Sequence, residues 1–243
     1  MPRHFLSLED LPAEDYLPLL ARAKTIKTHR LALDCLSGES VVLLFEKAST
    51  RTRVSFEVAV RETGGSTIFM TPAESQLGRK EPLKDTARVL SRYARAMVVR
   101  TFGQQNLGEL AEYAEVPVIN ALSDSFHPCQ VLSDLLTIYE LTPDLSWIKV
   151  AWLGDGNNVA QSWINAATKL PFTLFLACPE GFEPDRELFS RALEQGADIQ
   201  LTRDPLEAVR DADYVNTDVW ASMGWEEEEG DRLERFSPYQ VNR

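Results

Sequence analysis

The chain has 243 residues, 44% hydrophobic and 26% charged, which is ordinary globular composition and enough length for one large domain or two modest ones. Its net charge of -12 at pH 7 excludes a general nucleic-acid-binding surface, which needs the opposite sign. No apolar run approaches the ~20 residues that span a membrane, Met1-Pro2-Arg3-His4 opens no apolar leader, and Cys35, Cys129 and Cys178 are too scattered for a disulfide framework, so a cytoplasmic enzyme or binding protein is expected.

Charge is uneven along the chain. Residues 47–100 hold eleven basic side chains against five acidic, whereas residues 141–243 hold nine against nineteen. A basic zone on an acidic protein fits a local anion site, where a cleft focuses the field, and equally a solvated helix face. A phosphate-type motif inside the zone would decide for the anion site.

In chain order, the first strand-like run is Val41–Phe45, an unbroken apolar stretch of the kind buried on both faces. It leads through Glu46-Lys47-Ala48 into Ser49-Thr50-Arg51-Thr52-Arg53 and a helical pattern over Thr50–Glu62, which Gly64-Gly65 should stop. The first amides of a helix lack internal partners, and the helix dipole favours negative charge there. Ser49, Thr50 and Thr52 add hydroxyls and Arg51 a bidentate donor, so a phosphate is natural at this start. Read alone, the same residues also fit a plain N-cap with exposed arginines, and the Gly-x-x-x-x-Gly-Lys of a Walker loop is absent. A strand at Thr67–Met70, a helix over Pro82–Ala94 with proline near its first turn, and a strand at Ala96–Arg100 follow.

The strand Val118–Asn120 leads to His127-Pro128-Cys129-Gln130 at the start of a helix over Pro128–Leu141. His127 and Gln130 suit hydrogen bonding to a ligand carbonyl; a capping region with a packed histidine is the competing reading. Cys129 beside His127 in sequence does not make a thiolate pair, and a small buried thiol is expected. Near Thr142-Pro143-Asp144 the helix ends and the charge balance changes, which places a domain boundary there. The run Lys149–Leu153 then opens a second half and is followed by Gly154-Asp155-Gly156-Asn157-Asn158 and a helix over Asn158–Lys169. That turn looks like a dinucleotide-fold opening, but the fingerprint needs a small residue where Val159 stands. Strands at Thr173–Ala177, Asp198–Leu201 and Tyr214–Asn216 alternate with helices at Asp185–Gln195 and Pro205–Ala212. The last strand runs into Asp218-Val219-Trp220-Ala221-Ser222-Met223-Gly224, and Glu226–Glu229 reads as a solvated loop. Asp218 is placed either for ligand contact or as a loop cap, with Trp220 packed on the core. The alternation indicates an α/β protein of parallel sheets covered by helices. Four polar motifs, each after a strand, carry more weight than any one, because ligands in such folds gather at the carboxyl ends of strands.

These segments, with Gln76, Lys80 and Lys84-Asp85-Thr86-Ala87-Arg88-Val89-Leu90, stand in the order found in the ornithine carbamoyltransferases, and the chain closely resembles that family within the aspartate/ornithine carbamoyltransferase superfamily. The resemblance implies two domains, each a parallel sheet flanked by helices, with the active site in the cleft between them: a carbamoyl phosphate-binding domain over residues 1–141 and an ornithine-binding domain over 142–243. It implies transfer of the carbamoyl group of carbamoyl phosphate to the side-chain amine of L-ornithine, giving citrulline and phosphate in arginine biosynthesis, with no cofactor and no metal. Ser49, Thr50, Arg51 and Thr52 would hold the phosphate, and Arg100, His127 and Gln130 the carbamoyl end, with Arg51, Arg100 and His127 catalytic. Gln76, with Lys80 in the same loop, would reach the site of a neighbouring subunit in a homotrimer. Asn158, Asp218, Ser222 and Met223 would bind ornithine. The family continues past the position of Arg243 into a His-Cys-Leu-Pro motif whose cysteine contacts ornithine; the second domain is therefore expected to be incomplete, and neither Cys129 nor Cys178 takes that place. The rival readings are a nicotinamide-dependent oxidoreductase, a ligand-binding relic without turnover, and a carbamoyltransferase for putrescine or an acylated ornithine.

Overall fold

The computed structural model describes residues 2–76, 81–220 and 229–242. Lys80, Ser222 and Met223, and most of the acidic run after them, lie outside the described residues. The chain divides into two compact units, Met1–Leu11 with Leu17–Leu132, and Pro12–Tyr16 with Ser133–Arg243.

In the first unit the strands are β1 (Ser40–Phe45), β2 (Ser66–Met70), β3 (Ala96–Arg100) and β4 (Val118–Leu122), all parallel, in the order β2-β1-β3-β4. The helices in chain order are α1 (Ala13–His29), α2 (Arg51–Glu62), α3 (Leu83–Leu90), α4 (Gln104–Tyr113) and α5 (Pro128–Leu141), of which residues 13–16 of α1 and 133–141 of α5 fall in the second unit. Strand residues alternate between faces, and the packing follows that period. Val42, Leu44, Met97 and Val99 pack with Ala87 of α3 and with Leu107 and Leu110 of α4. Val41, Leu43, Phe45 and Val98 face the other way, with Val60 and Phe56 of α2. Both faces of β1 and β3 are therefore covered, which is why their sequences read as unbroken apolar runs. Gly64-Gly65 stops α2 as expected: Gly64 has φ +85°, its amide donates to the Arg61 carbonyl, and the Gly65 amide donates to the Val60 carbonyl.

In the second unit β5 (Lys149–Leu153), β6 (Thr173–Ala177), β7 (Ile199–Thr202) and β8 (Tyr214–Thr217) form a parallel sheet in the order β7-β6-β5-β8. Helix α6 (Asn158–Ala167) is buried along almost its whole length, and Trp163 meets Phe172 edge to face at 5.6 Å. Helices α7 (Arg186–Glu194), α8 (Pro205–Val209) and α9 (Glu229–Phe236) complete the unit.

Three helices depart from the sequence expectation. Helix α1 buries Tyr16 and Leu20 alone and carries Pro18 inside it, so its apolar stripe is narrow. Helix α4 contributes Leu107 and Leu110 around a central Gly108, too little for a periodic signal. Helix α9 begins at Glu229, so the last residue of the acidic run is helical, where a loop was expected; among the side chains described, Arg232 and Phe236, one turn apart, are its buried positions. The helix expected over Pro82–Ala94 ends at Leu90, and that over Pro205–Ala212 ends at Val209.

Candidate functional site

Each sheet reverses its winding once. The chain goes from β1 out to β2 and returns to place β3 on the other side of β1; likewise it goes from β5 through β6 to β7 and returns to place β8 beside β5. At such a switch the loops leaving the two adjacent strands part in opposite directions and open a crevice at their carboxyl ends. The β1/β3 crevice holds the Ser-Thr-Arg-Thr segment and Arg100, and the β5/β8 crevice holds the Gly154–Asn158 turn and Asp218.

At the first crevice, Phe45 and Arg100 are register partners across β1 and β3. The β3/β4 register shifts between Val99 and Arg100, the extra residue falling on β4, while Arg100 keeps its regular register with Phe45 of β1. Its Nη1 donates to Thr52 Oγ1 at 3.3 Å, joining the end of β3 to the first turn of α2. The Ser49 hydroxyl accepts from the Thr52 amide at 3.3 Å, Thr50 makes no side-chain cap bond, and the first turn of α2 holds no acidic residue, so its positive dipole end is left for a ligand. Arg51 is exposed here, as the N-cap reading expected, and the Ser49 hydroxyl supplies the cap; among the described residues, the contact between a guanidinium and a hydroxyl of this segment is that of Arg100 with Thr52. Arg100 Nε is buried without a partner among the described residues, and burial holds the guanidinium below its ordinary range.

His127 stands where the chain enters α5, its carbonyl accepting from the Gln130 amide at 3.1 Å, while the Gln130 side chain is exposed. Burial, and second the positive charge of Arg100, push the His127 imidazole down to about 4, so the ring is neutral at pH 7 and offers one N–H donor. Cys129 behaves as expected of an unreactive thiol: its Sγ donates to the Asn120 carbonyl at 3.3 Å and burial raises it to about 12. Gln76 is exposed at the rim of a cavity of about 300 Å3 lined by Met70, Glu74, Glu81, Thr86 and Leu90.

Residues that the sequence reading passed over hold these loops together. One carboxylate oxygen of Glu46 accepts from the Thr101 hydroxyl and from the Phe102 amide, the latter at 3.3 Å. Lys47 Nζ reaches Asp124 Oδ1 at 2.5 Å and lies 4.1 Å from the centre of the Phe102 ring. Both stand within three residues before Ser49, and that nearness was the only signal of their role.

At the second crevice Asn157 caps α6, its Oδ1 accepting from the Val159 and Ala160 amides at 2.9 and 3.2 Å. Its Nδ2 donates to Asp218 Oδ2 at 3.1 Å, and Asp218 Oδ1 accepts from the Val219 amide at 2.8 Å. Asn158 begins α6, and its carbonyl accepts from the Ser162 hydroxyl at 2.7 Å. Asp218 is thus a loop cap and a crevice carboxylate at once, and Trp220 stacks on Phe236 with centroids 6.3 Å apart. The structure also brings in Asp155 and Arg232, 77 positions apart and bonded to each other; no local pattern could have linked them. Val159, at the position where the dinucleotide fingerprint has a small residue for close helix–strand packing, is buried.

Two family models cover nearly the whole chain: the carbamoyl phosphate-binding domain of aspartate/ornithine carbamoyltransferase over residues 3–140, and the aspartate/ornithine-binding domain of the same group over residues 146–243. The chain belongs to the aspartate/ornithine carbamoyltransferase family. Within the family it is 60% identical over 242 residues to an ornithine carbamoyltransferase of Nitratidesulfovibrio vulgaris, an alignment covering 100% of this chain and 81% of that one. It is 50% identical over 247 residues to an ornithine carbamoyltransferase of Geobacter sulfurreducens, covering 98% of this chain and 80% of the relative. Among solved structures, the ornithine carbamoyltransferase from Pyrococcus furiosus superposes with a TM-score of 0.92 at 44% identity, over 99% of this chain and 79% of that one. The anabolic ornithine carbamoyltransferase from Campylobacter jejuni gives a TM-score of 0.92 at 38% identity, over 100% of this chain and 81% of that one.

The neutral His127 carries a measurable consequence. Its folded pKa of about 4 lies below the unfolded value of 6.5, so the stability it contributes is complete above pH 6.5 and is lost as pH falls from 6.5 toward 4. A shift of that size amounts to about 3 kcal/mol. Denaturant unfolding between pH 7 and 4 should show the loss, and His127→Gln should flatten that part of the profile; an unchanged slope in the variant would mean another group titrates there.

Proposed function

We propose that the chain is a transferase that moves the carbamoyl group of carbamoyl phosphate to the side-chain amine of L-ornithine, releasing L-citrulline and phosphate. The observation that carries this reading is the Arg100–Thr52 contact, which gathers a guanidinium, a hydroxyl and an acid-free helix start at one switch point in a chain of this family. In this reading Ser49, Thr50, Arg51 and Thr52 hold the phosphate, and Arg100, His127 and Gln130 hold the carbamoyl oxygen. As the amine attacks the carbonyl carbon, negative charge grows on that oxygen, and the Thr52 hydroxyl, the Arg100 guanidinium and the neutral His127 N–H are donors fixed in place beforehand, each worth on the order of 3 kcal/mol. The bond from the carbonyl carbon to the phosphate oxygen then breaks, and phosphate leaves while still held by α2 and Arg51, taking up the proton that the attacking nitrogen sheds. The attacking amine must be neutral, although a free alkylammonium has a pKa near ~10.4; the cations of the first crevice favour the neutral form.

Asn158 and Asp218, with Ser222 and Met223, bind ornithine in this reading, Asp218 facing the α-ammonium group. Residues 1–141 serve carbamoyl phosphate and 142–243 serve ornithine. Gln76 serves the site of a neighbouring copy, so the working assembly is a homotrimer, and the setting is cytoplasmic arginine biosynthesis. No described helix is long and apolar enough to cross a membrane.

The deciding experiment is citrulline formation from carbamoyl phosphate and ornithine, measured on the 243-residue chain and on the complete reading frame of its gene, with putrescine and N-acetylornithine as alternative amines and a nicotinamide-cofactor titration as a control. Citrulline is the expected product, with no cofactor bound. A folded protein that carbamoylates another amine but not ornithine would overturn the substrate assignment.

A further inference from the structure

Asp155 and Asp218 leave neighbouring parallel strands, β5 and β8, at the same crevice. Two unpaired carboxylates there would hold two negative charges against a substrate that carries a carboxylate of its own. The structure supplies a countercharge from outside the two loops. Arg232 on α9 is only 8% exposed; its Nη2 donates to Asp155 Oδ2 and its Nε to the carbonyl of Trp220, two residues beyond Asp218. Its guanidinium carbon lies 4.8 Å from the centre of the Phe182 ring and 5.0 Å from that of Phe236, and these rings meet edge to face at 4.8 Å. The cation is held by aromatic faces and one carboxylate, in a place that a compact, strongly hydrated ammonium fills poorly. Asp155 is fixed from the other side as well, its carbonyl accepting from Trp152 Nε1 at 2.9 Å. Asp218, in contrast, is held by the neutral donors Asn157 Nδ2 and the Val219 amide.

We propose that Arg232 is the charge-setting residue of the second-substrate crevice: by pairing with Asp155 it leaves, among the described residues, Asp218 as the net carboxylate of the two, which selects an amino acid carrying one carboxylate over a dicationic alkyl diamine. The proposal rests on the ornithine reading and deepens it. Without Arg232 the crevice gains one negative charge, which repels the ornithine carboxylate and attracts a diamine.

The test is a double-mutant cycle over wild type, Arg232→Met, Asp155→Asn and the double variant, reading kcat and KM for ornithine and for putrescine, calorimetric affinity for both, and KM for carbamoyl phosphate. Arg232→Met should raise the ornithine KM by about 30-fold and shift the putrescine-to-ornithine ratio of kcat/KM by at least ~10-fold toward putrescine, like-charge contacts being that costly. The carbamoyl phosphate KM should stay within about twofold, since it is read at the other unit's crevice. The double variant, neutral at both positions, should bring the ratio back to within about threefold of wild type. Failure of the double variant to restore the ratio, or a ratio that does not move in Arg232→Met, would overturn the proposal and leave Arg232 as an anchor for Trp220 alone. Should Arg232→Met not fold, Asp155→Asn and the double variant carry the test, because Asp155→Asn leaves an uncompensated cation and must shift the ratio toward ornithine. A wild-type chain that binds phosphate but not ornithine defeats the ornithine reading itself, which is distinct from a defect confined to the variants.

Discussion

Replacing Arg100 by methionine should lower kcat for citrulline formation by about 10³-fold, the upper range for removal of one preorganised donor to a developing oxyanion. Arg100 closes β3 at a register irregularity, reaches Thr52 with one nitrogen and keeps its buried Nε without a partner among the described residues. A guanidinium with donors unspent, beside a helix start that carries no acid, is arranged for an anion and not for the fold. Stability should therefore move little or rise, since an incompletely satisfied buried cation is removed. Arg100→Lys keeps the charge but not the planar fork that serves phosphate and carbonyl oxygens together, and kcat should remain down by at least about 10²-fold. Steady-state kinetics with thermal melts on the same samples check both. A kcat within threefold of wild type in a folded methionine variant would remove Arg100 from the reaction.

Why that arginine was hard to see from sequence shows where local pattern stops. The central strands were legible because burial on both faces writes itself as a run such as Val41–Phe45 or Lys149–Leu153, and the observed strands match those runs to within a residue. The helix starts at Ser49, Pro128 and Asn157 were legible because capping chemistry is local. Helix α1 was not, because two buried residues around Pro18 do not make a stripe. Arg100 was read by resemblance; its contact with Thr52 joins positions 48 apart, which no local pattern carries. Asn157, quoted as a helix start, proved to be the donor that fixes Asp218, a contact between loops 61 positions apart. Arg232 stood just after an acidic stretch that read as solvent-facing, and nothing local marked it as buried. Short-range chemistry is written in the sequence; the pairing of loops across a switch point is written in the sheet order, which had to be observed.

Gly156→Ala should be among the most destabilising single-atom-group additions in the chain. A Cβ there would stand 2.2 Å from the Pro184 nitrogen, 2.4 Å from the Glu183 carbonyl carbon and 2.7 Å from the Pro184 Cα. All three are backbone atoms, so no rotamer change makes room, and the Gly156 amide also donates to the Phe182 carbonyl at 2.8 Å, tying the two segments together at that point. The demand is for space and not for an unusual φ, so any side chain meets it alike. The 155–157 turn must move off residues 182–184, and overpacking of that kind costs about 3 kcal/mol at its upper range. The same displacement pulls Asp155 from Arg232 and Asn157 from Asp218, so the ornithine KM should rise at least ~10-fold while carbamoyl phosphate affinity holds, sites in separate units being close to additive. Gly108→Ala in α4 supplies the opposite sign: a Cβ there meets nothing within 4 Å, and the substitution should stabilise by about 1 kcal/mol through helix propensity alone. Calorimetric unfolding of the two variants separates the effects. If Gly156→Ala melts with Gly108→Ala above wild type, residues 182–184 yield freely, and the close approach of backbone at Gly156 is not what holds Asp155 and Asn157 at the crevice.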